Sequence, residues 1–142
     1  MIVLQETIYS RAFTEEQLAT LKAIIPIARK LSGYDGVLHI AAGRENEFLS
    51  FDTHAWTTWS PITLWQVPSV KVFPCLLEEG YDATGVCLTH ELIHCRQGFW
   101  KVYGQKFLYT LMFWKKGEIP IEEEAYDSVN FWYDYQRHVL NV

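Results

Sequence analysis

Two histidines four residues apart, with a glutamate directly after the first, are the side chains best suited to chemistry here: His90-Glu91-Leu92-Ile93-His94. On a helix, positions i and i+4 sit one turn apart on the same face, so both imidazoles can reach one ion. Glu91 points about 100° away, close enough to touch a water beside that ion without occupying it. This arrangement requires a helix to carry it, a third ligand and a cleft.

Catalytic zinc takes three protein ligands and keeps one position open, whereas structural zinc is closed, usually by thiolates. Cys75, Cys87 and Cys95 include no C-x-x-C pair. Cys95 adjoins His94, but neighbours on a helix diverge by about 100°, and Cys87 and Cys95 read as packed core thiols. An open site is expected. Two imidazoles with one carboxylate suit zinc, although the same set binds other divalent ions. The carboxylate must come from a distant segment, and Glu122, Glu123 and Glu124 crowd the start of a later helix.

The elements that must position these groups can be followed along the chain. Ile2–Leu4 reads as a short strand. Thr14-Glu15-Glu16-Gln17 has the form of a capping box, and Leu18, Leu21, Ile25, Ala28 and Leu31 continue at helical spacing to a stop at Gly33. Pro26 within that run is expected to kink or divide the helix. From Val37 the period shortens. Val37–Ala41, Phe48–Phe51, Ala55–Trp59, Ile62–Val67 and Val70–Phe73 are strand candidates, separated by Asp, Ser and Pro. A small, mostly antiparallel sheet follows. His39 and His54 lack ligand spacing and read as ordinary surface or core histidines.

Asp82 or Thr84 is expected to cap the helix bearing the two histidines, with Gly98 as its end. Phe99–Phe113 follows as a helix dense in aromatics. It reads as a core helix rather than a membrane-surface one, because its basic face is small. Pro120 opens the last helix, and its three glutamates suit the positive end of the dipole. That helix runs through Ala125, Val129, Trp132 and Tyr133 to near His138. The whole is expected to be α+β: one domain over residues 1–142, with a small mixed or antiparallel sheet packed on the histidine-bearing helix and a C-terminal helix beside it.

Leu88–Gln97 together with Ile119–Tyr126 resembles the small zincin-like metallopeptidases of the gluzincin type. Those proteins have an H-E-[LIV]-x-H helix and later a helix opening with E-x-x-A. The resemblance implies His90 and His94 as ligands of one zinc ion, Glu91 as general base and Glu122, three before Ala125, as third ligand. The E-x-x-x-D form of thermolysin-like enzymes would instead select Glu123 with Asp127, leaving Glu124 solvated. Asp127 is also a candidate partner for a ligand histidine. The family's sheet borders the cleft, and its edge strand binds an extended peptide.

The implied activity is peptide-bond hydrolysis, with zinc activating water and Glu91 taking its proton. Tyr103, Tyr109, Tyr126 and Tyr133 are candidates for steadying the oxyanion. A second reading is a zincin-fold binding or assembly protein with a structural or vestigial zinc site. A third is that the motif is accidental. The partner expected is a peptide or protein substrate, with a further protein contact through aromatic surface. A net charge of −5 without a Lys/Arg cluster or stripe argues against a nucleic-acid surface. No apolar run approaches the roughly 20 residues of a membrane span. The lack of a basic, apolar leader and the odd cysteine count lead to an expected cytoplasmic location.

Overall fold

The first helix is defined by its own ends. In the computed structural model, which describes residues 6–8, 13–42, 55–59, 67–72, 77–78, 80–112 and 120–139, the Thr14 hydroxyl accepts from the Gln17 amide at 3.1 Å. The Gln17 side chain accepts from the Thr14 amide at 2.9 Å. This reciprocal cap opens α1, Glu15–Ser32, and Gly33 closes it in the left-handed conformation at φ 77, donating to the Arg29 carbonyl. Pro26 does not divide α1, which runs unbroken. Pro26 and Lys22 both lie on the exposed face, so the Lys22 carbonyl that loses its helical partner meets water. Leu21, Ile24, Ile25 and Ala28 on the other face hold both halves to the core.

Four strands form one sheet in the order β1-β2-β4-β3: β1 Glu6–Ile8, β2 Leu38–Ala42, β3 Ala55–Trp59 and β4 Pro68–Val72. β1 pairs with β2 in parallel, β2 with β4 in parallel, and β3 with β4 antiparallel. The sheet is therefore mixed, and the expectation of mostly antiparallel pairing is corrected. Strand spans follow from composition, but α1 lies between β1 and β2, and such a crossover permits parallel pairing. Pro68 starts β4, where a missing N–H is tolerated. Ile2–Leu4 and Phe48–Phe51 lie outside the described residues, as do His54 and most of Ile62–Val67.

β2 and β4 alternate in burial, sending Leu38, Ile40, Val70 and Val72 into the main core beneath α1. The next helix, α2 (Tyr81–Gln97), is the hub. It packs most extensively on α1, and also on β3 and the three helices that follow. Those are α3 (Phe99–Leu111), α4 (Pro120–Tyr126) and α5 (Ser128–Val139). α2 has no side-chain cap: Gly80 precedes it at φ 116. Asp82 and Thr84, expected as caps, have other bonds. Asp82 accepts from the Trp132 indole at 2.9 Å, and the Thr84 hydroxyl donates to the Gly80 carbonyl at 2.8 Å.

Two expectations for the C-terminal third are corrected. The last helix is not continuous: the chain turns at Asp127, whose amide bonds to Glu124 three residues back, and α5 starts afresh. The turn lets α4 bury Ile121, Glu122 and Ala125 while α5 buries Trp132 at a different site on α2. The second correction concerns α3. Only Val102 is fully buried, while Trp100, Phe107, Leu108 and Leu111 are exposed, so it is not a core helix. Among the described residues no helix is long and apolar enough to cross a membrane.

Candidate metal centre

His90 and His94 project from α2 toward α4, which brings Glu122 up to both. His94 Nε2 stands 3.1 Å from Glu122 Oε1, and His90 Nε2 stands 3.6 Å from Glu122 Oε2. One ligand atom from each of the three residues lies within 4.8 Å of the other two. Tetrahedral zinc with bonds of about 2.0–2.1 Å sets its ligand atoms about 3.4 Å apart, so these separations suit one ion. Glu123 is exposed and turned away, as the divergence of helix neighbours requires. The alternative pairing of Glu123 with Asp127 is therefore not what the fold assembles. Asp127 is exposed at the turn, and no contact links it to either histidine among the described residues.

The partner of His94 is Gln97, one turn further along α2. Its Oε1 lies 2.8 Å from His94 Nδ1, and its Nε2 donates to the Ile121 carbonyl at 3.0 Å. This fixes more than a position. The Ile121 carbonyl can only accept, so the amide nitrogen of Gln97 must face it and its oxygen must face His94. Nδ1 then carries a proton, and Nε2 of the neutral ring presents its lone pair to Glu122. A lone pair facing a carboxylate at 3.1 Å is stable only with a cation between them, either a proton or a metal ion.

The electrostatics agree. Burial alone favours neutral His94, but its hydrogen bond to Glu122 and the charges of Glu91 and Glu122 outweigh this and raise its pKa. Glu122 is 1 % exposed. Burial would lift its pKa, yet hydrogen bonds from His90 and His94 and their charge hold it well below the usual carboxylate range. Lys106 of α3 adds a more distant positive charge, with Nζ at 3.9 Å from Glu122 Oε1. A carboxylate this buried needs such compensation. Cys95 is a free thiol packed in the main core, where burial pushes its pKa up, and it is not among the three residues whose ligand atoms converge.

Glu91 is buried on α2 beside the histidines, and its Oε2 accepts from the Thr57 hydroxyl at 2.6 Å. Thr57 lies on β3, at the edge of the sheet among the described residues. One hydrogen bond thus ties the motif glutamate to the sheet edge. Of the four tyrosines singled out by sequence, Tyr126 lies against His90 with ring centroids 5.0 Å apart. Tyr103 packs instead on Trp59 and Phe99, Tyr109 on the small cluster around Val102 and Ile121, and Tyr133 is exposed on α5.

Sequence reasoning missed Gln97, Thr57 and Lys106. Gln97 had a usable signal, its i+3 spacing from His94. Thr57 and Lys106 had none, because a strand-to-helix and a helix-to-helix contact bring them in. Comparison of the chain with protein-family models, with curated proteins and with solved structures finds no match among any of them.

Proposed function

We propose that this protein is a zinc-dependent peptidase of zincin-like architecture, with His90, His94 and Glu122 holding one ion and Glu91 as general base. The observation that carries the reading is the buried lone-pair-to-carboxylate contact between His94 and Glu122, with Glu91 held beside it by Thr57. The first calls for a cation, and the second supplies a base next to it. A bound zinc ion would contribute Lewis acidity, making water acidic near neutral pH and polarising a carbonyl.

The chain's own groups supply the rest. His94 is oriented by Gln97, so its Nε2 is available for bonding. Glu91 removes the proton of the attacking water and passes it to the leaving amine. Tyr126, beside His90, is the tyrosine best situated to donate to the developing oxyanion. An extended peptide adds along β3, whose antiparallel partner occupies only one of its edges among the described residues.

Two measurements test the proposal. Metal analysis of purified protein is expected to find one zinc ion per chain, absent from His94→Ala. Glu91→Gln is expected to keep the zinc and lose at least about 100-fold in hydrolysis of a peptide library. Protein with no stoichiometric zinc ends the proposal. Zinc retained with hydrolysis unchanged in Glu91→Gln would make the site structural and the protein a binding or assembly module.

A further inference from the structure

The Glu122 carboxylate meets nitrogen groups from two helices. Its Oε2 faces His90 of α2, while its Oε1 faces both His94 of α2 at 3.1 Å and Lys106 Nζ of α3 at 3.9 Å. The three differ in how far they reach into solvent. The Lys106 side chain is 39 % exposed, against 17 % for His90 and 5 % for His94. Lys106 is thus the cation at the rim of the ligand set. Its neighbour Gln105 accepts from the Ile121 amide at 3.2 Å, which pins this part of α3 to α4. The flexible four-carbon stem still lets the ammonium turn between the carboxylate and the solvent.

The charge balance here depends on the ion. Without one, Lys106 is a counterion for Glu122. A zinc ion held by His90, His94 and Glu122 would take over that part, because imidazoles bond metal as neutral rings. Zinc and Lys106 would then set three positive charges against the two buried carboxylates of Glu91 and Glu122. The excess is positive, and its most exposed member is Lys106. Like charges this close repel, and an arriving anion relieves them. An ammonium meets a carboxylate as a point charge with three donors, so it selects for charge more than for a planar match.

We propose that Lys106 is a specificity-determining residue, giving the metal site a preference for peptides that carry a carboxylate next to the scissile bond. A free C-terminus and an Asp or Glu side chain offer the same chemistry. The inference rests on the peptidase reading and deepens it by naming the substrate class.

Binding tests it without hydrolysis. Zinc-loaded protein is titrated calorimetrically with thiols that bond the ion through sulfur. Mercaptoacetyl-alanine is compared with its C-terminal amide, and mercaptoacetyl-aspartic acid α-amide with its asparagine counterpart. In at least one pair the carboxylate member should bind about tenfold tighter, and the pair that shows it identifies the source. Lys106→Met should bring that ratio near one, and Lys106→Arg should keep it. Circular dichroism checks the fold, and Lys106→Gln decides if Lys106→Met fails to fold. A ratio near one in both pairs overturns the proposal. A preference that survives in the folded neutral variant also overturns it, by assigning the attraction to the ion alone. Hydrolysis that depends on Glu91, with no such preference, leaves the peptidase reading standing and overturns this inference only. Protein that takes up no zinc overturns both.

Discussion

Gln97 links the chemistry of His94 to the backbone of α4, and its worth can be measured. Its amide sets the tautomer of His94 through one bond and reads the position of Ile121 through the other. Partners of this type are typically worth 10–100-fold in metal affinity. Gln97→Leu should therefore weaken zinc binding by about 10–100-fold, read by competition with a chromophoric chelator. The same change should leave the α2 backbone intact, because Gln97 is its final residue. Zinc affinity equal to that of the unaltered protein would mean that packing alone orients His94. His90 meets Tyr126 through ring contact, so the two ligand histidines are held in different ways.

At the scale of elements, the close approach of α5 to α2 decides how the site helix is held. The Trp132 ring lies over Gly85, and a Cβ there would stand 2.3 Å from ring atoms. Trp132 is fully buried, with its indole N–H on Asp82. Alanine in a helix interior ordinarily gains about 1 kcal/mol over glycine. Here overpacking acts in the opposite direction and costs about 1–3 kcal/mol, because a rigid ring in a filled core cannot yield. Gly85→Ala should accordingly lower the urea midpoint of unfolding, and an unchanged or raised midpoint would show that Trp132 has room to shift. The helix break at Asp127 belongs to the same design. It frees α5 to seat Trp132 while α4 keeps Glu122 at the histidines.

For the molecule as a whole, an ion at this site would join α2 to α4 and act as a staple between them. A ligand that binds only the folded chain stabilises it by about 2.7 kcal/mol at a hundred times its Kd. For a domain near this size that corresponds to a rise in Tm of roughly 5–10 °C. Adding zinc to chelator-treated protein should raise the melting temperature by that amount, with no rise for Glu122→Gln. An equal rise in that variant would place the zinc elsewhere. α3 adds to this joint, supplying Gln105 to the Ile121 amide and Lys106 to Glu122.

Much of this protein was legible where the signal is local. The Thr14–Gln17 capping box, the glycine stops at Gly33 and Gly98, the span of β3 and the spacing of His90 and His94 depend on residues within a few positions of one another. The sequence also offered Glu122 as one of three adjacent acids, and the resemblance ranked it above Glu123 without a geometric reason. Other features were decided only by tertiary structure. The parallel pairing of β1, β2 and β4 depends on crossovers, and the break at Asp127 on how α4 and α5 seat against α2. The small basic face of α3 reads as that of a core helix, and only its packing, with Val102 buried and Trp100, Phe107, Leu108 and Leu111 exposed, decides otherwise. The choice of Glu122 has the same origin: neighbours on α4 point in different directions, and the packing of α4 against α2 determines which of them meets the histidines.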